Sequence, residues 1–214
     1  MFTVQCDFDD TITVSNVGEA LLDEFVPEQW RDFDAEYLAG QFTVEESNRR
    51  KFALIKASEK AIHEFVSRTV EFRPGFLQFV EYCRKEHIGF VIVSCGLDQY
   101  IDPSLRKMDL LDLERYSGRG LVTGDGIAVD YVDPRGVRRN EGFKVACLEY
   151  LKQRGRPVIY IGDGRSDVAP AIKADHVIAR DELLEHFDSR SIPHFKFDTF
   201  YDVLQVVKGL LVGR

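Results

Sequence analysis

Residues 4–13 read VQCDFDDTIT, a short apolar segment running into three aspartates, Asp7, Asp9 and Asp10, within four positions. The apolar part has the length and composition of a buried strand. The carboxylates after it repel one another, by roughly 4 kcal/mol for a pair at about 4 Å under an effective dielectric of about 20. A chain that gathers them at a strand end needs bound protons or a cation to offset that repulsion. Alternation along an extended segment turns Asp7 and Asp9 the same way and Phe8 into the core.

Working outward, FTVQC (2–6) is matched by GFVIV (89–93) and PVIYI (157–161), with HVIA (176–179) a weaker fourth strand. Between them lie amphipathic helical segments at 74–87, 143–155, 166–174 and 199–211. Phe76, Phe79, Val80 and Cys83 share one face of the first. Strands alternating with helices predict an α/β fold, a Rossmann-like open parallel sheet with helices on both faces. Two stretches break the alternation. Residues 13–73 hold only helical patterns, at 17–26, 27–39, 43–56 and 59–70, and read as a helical cap inserted after the first strand. The division is then a core of 1–12 and 74–214 and a cap of 13–73. Residues 119–137, RGLVTGDGIAVDYVDPRGV, read as a small β-hairpin projecting from the sheet, with GDG and DPRG as turn chemistry.

In such a sheet ligands gather at the carboxyl ends of the strands. The residues after the three strong strands are Asp7 to Thr11, Ser94-Cys95-Gly96 and GDGRSD (162–167), so neighbouring strands would bring all three clusters to one edge. An oxygen-only, multiply acidic site suits Mg²⁺ shared with a phosphate. Calcium fits less well, because Ile12 stands where a calcium loop starting at Asp7 needs glycine. Glycines at 96, 162 and 164 let backbone approach a ligand. Ser94 offers a hydroxyl, and Lys144, at the start of a helix, supplies positive charge for a phosphate dianion.

Composition narrows the partners. The 214 residues are 44% hydrophobic and 30% charged, with a formal net charge of -8. An acidic surface argues against nucleic acid and anionic membranes as partners. The basic runs NRRK (48–51) and RGVRR (135–139) each admit a solvated face or loop, and that reading is favoured for the second. No apolar run is long enough to span a bilayer, and residues 1–30 lack the pattern of a signal peptide. Cys6, Cys83, Cys95 and Cys147 show no metal-binding or disulfide spacing. A reducing, cytoplasmic setting is expected, with the chain a monomer or homodimer.

The elements DFDDT (7–11), Ser94 in VSCG, Lys144 in GFK and GDGRSD (162–167), in that order, resemble the haloacid-dehalogenase-like phosphatase superfamily. The helical insertion is similar to the lid of its phosphoserine phosphatase-like branch. Within that branch FVPEQW (25–30), ARDELL (179–184) and FYDVL (200–204) are similar to the methionine-salvage 2-hydroxy-3-keto-5-methylthiopentenyl-1-phosphate phosphatases. The resemblance implies a Mg²⁺-dependent phosphomonoester hydrolase of small metabolites, working through an aspartyl-phosphate. It implies Asp7 as nucleophile and Asp9 as acid and base. Asp7, the Asp9 carbonyl and Asp163 would hold the metal, with Asp167 behind them. Ser94, Cys95, Gly96 and Lys144 would surround the phosphate, and Thr11 would steady the Asp7 loop. Phosphoserine phosphatases usually carry a glutamate nine residues after the nucleophile. Asn16 stands there, with Glu19 as a substitute, and the lid cation would be Arg49 or Arg50, or Lys51. The candidate substrates are the methionine-salvage enol-phosphate and phosphoserine. A phospho-accepting signalling receiver, the first rival, lacks both an acid/base aspartate and a helical lid. A non-catalytic phosphate-binding module, the second, would not need every acid/base and clamp residue.

Overall fold

A computed structural model describes residues 2–212. Met1, Gly213 and Arg214, the ends of the expected core, lie outside the described residues. The strands are β1 Thr3–Cys6, β2 Gly89–Leu97, β3 Glu114–Thr123, β4 Gly126–Asp130, β5 Val158–Gly162, β6 His176–Ala179 and β7 Phe195–Lys196. They form a seven-stranded sheet in the order β4-β3-β2-β1-β5-β6-β7. All pairs are parallel except β3 with β4. The chain lays β2 and β3 on one side of β1, then returns to lay β5, β6 and β7 on the other. That reversal opens a crevice at the carboxyl end of β1. Every residue of β1 and β5 is buried, as expected for strands covered on both faces.

Four helices follow β1: α1 Val17–Phe25, α2 Arg31–Leu38, α3 Val44–Phe52 and α4 Glu59–Thr69. Short polar caps set three of their starts. Asn16, Thr43 and Ser58 accept from the N–H groups of Glu19, Glu46 and Ala61. Leu21, Phe52, Ile62 and Val66 pack into the same core as Phe8, Ile92, Tyr100 and Ile101. The remaining helices are α5 Phe76–Lys85, α6 Asp98–Lys107, α7 Phe143–Lys152, α8 Val168–Lys173, α9 Asp181–Ser189 and α10 Phe200–Val212. Among the described residues no helix is long and apolar enough to cross a membrane.

Three expectations change. β2 runs to Leu97, so Ser94, Cys95 and Gly96 lie within its last four residues and do not follow it. β3 keeps pairing with it, at Leu97↔Gly118, past an irregularity between Val93 and Leu97. The hairpin starts from a longer strand than expected, because β3 begins at Glu114, pairs parallel with β2 as far as Gly118, and then runs on past it to pair with β4 through Arg119–Thr123. Its turn lies between Thr123 and Gly126, whereas Asp133–Gly136 makes a separate turn. Pro74 lies just ahead of α5, which begins after Gly75, in the left-handed region at φ 86. A side chain at that glycine would come within 2.7 Å of the Tyr201 backbone nitrogen.

Candidate active site

The crevice is a cleft of about 270 Å³ between the strand ends and helices α1, α2 and α3. Asp7, Asp9, Ser94, Cys95, Gly96, Lys144, Asp163 and Glu19 all line it. Asp7 and Asp163 come from the ends of neighbouring β1 and β5. Carboxylate oxygens of Asp7, Asp163 and Asp167 lie within 4.8 Å of one another.

The Lys144 ammonium stands 2.8 Å from Asp7 and 2.6 Å from Asp167, and donates to Ser166 at 3.1 Å. Burial alone would pull Lys144 down, but Asp167 and Asp7 outweigh it and hold the ammonium above its usual range. Asp167 is fully buried. Its oxygens accept from Lys144, from the Tyr160 hydroxyl at 2.6 Å, and from the N–H groups of Asp163 and Gly164. Thr11, wholly buried, donates to Asp163 at 2.6 Å and does not line the cleft. Gly162 is needed where it stands, since a methyl group there would lie 2.7 Å from the Asp167 carboxyl.

One cation among three carboxylates leaves the cluster short of positive charge. Burial, then the charge of Asp167, pushes Asp7 up to about 7 against the pull of Lys144. Asp163 is raised by burial and by Asp167 and Asp7. This donor set is all oxygen, dense and under-compensated, and it fits a hard divalent cation. Asp7 and Asp163 have the freer oxygens. Asp167, engaged on every side, orients its neighbours from behind.

Asp9 sits differently. Its Oδ2 accepts from the Tyr100 hydroxyl at 2.7 Å, and its Oδ1 from the Val17 N–H at 2.8 Å and the Gly18 N–H at 3.4 Å. Burial raises it to about 6, while Tyr100 and the Val17 N–H pull the other way. Two aspartates two positions apart therefore have different surroundings. One is held among carboxylates and a lysine, the other by neutral donors. Gly96 leaves room for this, since a methyl group there would collide with the Tyr100 hydroxyl and lie 2.7 Å from Asp9 Oδ2. Ser94 Oγ accepts from the Gly96 N–H at 2.9 Å, which leaves its own hydrogen free to donate. Cys95 is 6% exposed, and burial pushes its thiol well up, away from thiolate chemistry.

The helical wall of the cleft, from α1 to α3, combines Leu22, Leu38, Val44 and Phe52 with Glu19, Asp34 and Lys51. Lys51 is buried and 3.0 Å from Asp34. Burial and Asp34 raise the Glu19 carboxyl, with Lys51 opposing. Arg49 and Arg50 do not line the cleft. Arg49 donates to the Arg139 carbonyl, and Arg50 pairs with Glu46 and lies over the Phe42 ring. Three consecutive basic residues on a helix diverge by about 100° each, so only one can point inward, and it is Lys51. Asn16 caps α1. Sequence reasoning missed Tyr100, Asp34 and Asn48. They reach the site through contacts between residues 17 to 91 positions apart, as between Asp34 and Lys51 and between Tyr100 and Asp9, with no local motif to flag them.

The model of the haloacid dehalogenase-like hydrolases matches residues 4–171. A 2-hydroxy-3-keto-5-methylthiopentenyl-1-phosphate phosphatase of Brevibacillus brevis is 32% identical over 208 residues, 95% of this chain and 93% of that protein. A phosphatase of the same name from Geobacillus kaustophilus is 32% identical over 212 residues, 97% of this chain and 96% of its own. Among solved structures, a phospho-aspartyl intermediate analogue of phosphoserine phosphatase superposes with a TM-score of 0.73 at 19% identity. It covers 95% of this chain and 97% of that one. At that identity the likeness speaks for the fold.

Proposed function

This chain belongs to the haloacid dehalogenase-like hydrolases and is a phosphoric monoester hydrolase, and from that premise we propose how its residues act and on what. Asp7 attacks phosphorus, forming an Asp7 oxygen–phosphorus bond as the bond to the leaving oxygen breaks. Asp9, protonated, gives its proton to that leaving oxygen. Ionised in turn, it takes a proton from the water that attacks the aspartyl-phosphate, which frees phosphate and restores Asp7. Covalent catalysis of this kind replaces one hard displacement by two easier ones. The Asp9 value of about 6 suits a group that must do both. Ser94 and Lys144 hold phosphoryl oxygens, and Lys144 keeps positive charge 2.8 Å from the attacking carboxylate.

Asp7, Asp163 and the Asp9 carbonyl would hold Mg²⁺, with Asp167 supporting them. When bound, the ion offsets charge on the phosphoryl oxygens and on the crowded carboxylates. Residues 13–73 act as a lid on the core formed by the rest of the chain and exclude bulk water. Four free, buried cysteines suit a reducing cytoplasm. The partner is a small-molecule phosphate ester, without nucleic acid or membrane, for a monomer or homodimer.

The substrate reading rests on one observation. The cleft that holds Asp7, Asp9 and Lys144 continues into a wall of Leu22, Leu38, Val44 and Phe52, interrupted by Lys51 with Asp34 and Glu19. An ester with an apolar tail and polar groups nearer the phosphate matches that wall. The methionine-salvage enol-phosphate, named for the relatives, has this form, and phosphoserine has no apolar tail. A Mg²⁺-dependent phosphate-release panel tests this, comparing the enol-phosphate, phosphoserine, sugar phosphates and nucleoside monophosphates. The enol-phosphate should lead by at least about tenfold in kcat/KM, the scale of one to two methylenes in an apolar pocket. Phosphoserine in first place refutes the substrate.

A further inference from the structure

Among the buried polar side chains of helix α3 are Glu45 and Asn48, one turn apart and 2% and 9% exposed. Glu45 Oε1 accepts from the main-chain N–H of Phe143 at 2.8 Å. Phe143 is the first residue of α7, whose N-cap is Gly142 and which has neither a side-chain cap nor an acidic residue in its first turn. An orphan N–H at the positive end of a helix is where an anionic acceptor stabilises most. The helix that presents Lys144 as its second residue is therefore capped from the lid. Asn48 Nδ2 donates to the Cys95 carbonyl at 2.8 Å, and the Tyr131 hydroxyl donates to the same oxygen at 2.6 Å. That carbonyl lies between Ser94 and Gly96. One face of one lid helix thus grips both segments assigned to the phosphate. Flanking bonds reinforce the grip: Thr43 Oγ1 donates to the Asn140 carbonyl, and Arg49 Nη2 to the Arg139 carbonyl.

We propose that Glu45 and Asn48 are positioning residues through which the seated lid assembles the phosphate clamp, in addition to covering it. The inference rests on the reading of Ser94 and Lys144 as phosphate ligands. Linkage then makes the effect reciprocal. If a seated lid tightens phosphate binding, phosphate seats the lid by the same factor. Inorganic phosphate has no leaving group to reach into the lid, so a lid that only covers leaves its affinity unchanged when Glu45 or Asn48 is altered.

The test is the affinity of inorganic phosphate, measured calorimetrically in Mg²⁺, for wild type, Glu45→Ala, Glu45→Gln and Asn48→Ala. Thermal melting confirms that each is folded. Glu45→Ala should bind about tenfold more weakly, the loss expected when a helix cap is removed. Glu45→Gln, whose amide oxygen still accepts, should stay within about threefold, and Asn48→Ala should fall about fivefold. Folded Glu45→Ala and Asn48→Ala with wild-type phosphate affinity overturn the proposal. If the alanine variants do not fold, hydrogen exchange on the wild type decides. Phosphate should protect segments 44–52 and 142–148 together, and protection of only one overturns the coupling. A wild-type chain that binds no phosphate overturns the phosphatase reading along with it, whereas a binding wild type with unaffected variants overturns this inference alone.

Discussion

Replacing Tyr100 with phenylalanine isolates the proton chemistry of Asp9. The Tyr100 hydroxyl donates to Asp9 Oδ2 at 2.7 Å, and the ring is 1% exposed, so the change deletes one hydrogen bond and keeps the packing. The hydroxyl favours the ionised carboxylate and opposes the burial that raises Asp9 to about 6. A hydrogen bond to a charged group contributes about 1.5–3 kcal/mol, and one pKa unit is about 1.4 kcal/mol. Its loss therefore moves the Asp9 titration up by about one to two units. Near neutral pH the ionised, base-competent fraction falls roughly two- to tenfold, while the acid-competent fraction grows. Hydrolysis of the aspartyl-phosphate slows and its formation does not, so phosphoenzyme accumulates. The assay is kcat against pH from about 5 to 9, paired with rapid-quench measurement of phosphoenzyme at neutral pH. An unmoved or downward-shifted basic limb, with no extra phosphoenzyme, refutes the assignment of Asp9 as acid and base.

Gly96→Ala drives a methyl group against the Tyr100 hydroxyl and to 2.7 Å from Asp9 Oδ2. Displacing Asp9 by about 1 Å should cost roughly a hundredfold in kcat with the fold retained by circular dichroism, and a loss under threefold contradicts the geometry. The metal-free chain should lose stability as pH rises. Asp7 and Asp9 are raised from 3.8 to about 7 and about 6 in the fold, so their contribution is complete below about 3.8 and is lost as pH climbs through those values. Melting curves with chelator and with Mg²⁺ should diverge more near pH 8 than near pH 5, and an equal Mg²⁺ effect at both contradicts the cluster electrostatics. Lys51→Ala leaves Asp34 unpaired inside the cleft and should raise KM about tenfold for the preferred ester. Arg50→Ala, whose ion pair with Glu46 is exposed, should stay within about twofold, and the reverse order refutes the lid assignment.

The part of the fold visible in the sequence was the part governed by local pattern. FTVQC, GFVIV and PVIYI are short apolar runs that read as buried strands, and they form β1, β2 and β5, the three adjacent strands at the centre of the sheet, while HVIA, the weaker pattern, forms β6 next to the edge. Helix α6 was missed because Pro103 sits inside it and reads as a breaker, although Tyr100, Ile101, Ser104 and Leu105 form a buried face. Strand β7 has two residues, both exposed, and carries no pattern at all. The acidic edge was legible because its residues stand at strand ends, where topology alone brings them together. The surroundings that separate Asp9 from Asp7 were not, since Tyr100 on α6 and the N–H groups of α1 reach Asp9 only through tertiary packing. The choice among Arg49, Arg50 and Lys51 likewise needed the rotation of α3, which sequence specifies only through what the helix buries.

The most direct measurement is to locate the phosphoryl group. Enzyme mixed with substrate and Mg²⁺ is quenched in acid, and its peptides are mapped by mass spectrometry, for wild type, Asp9→Asn and Asp7→Asn. The account predicts an acyl-phosphate on Asp7, enriched in Asp9→Asn, and no label or turnover in Asp7→Asn. Turnover by Asp7→Asn at the wild-type rate, or an acyl-phosphate on any other residue, would contradict it.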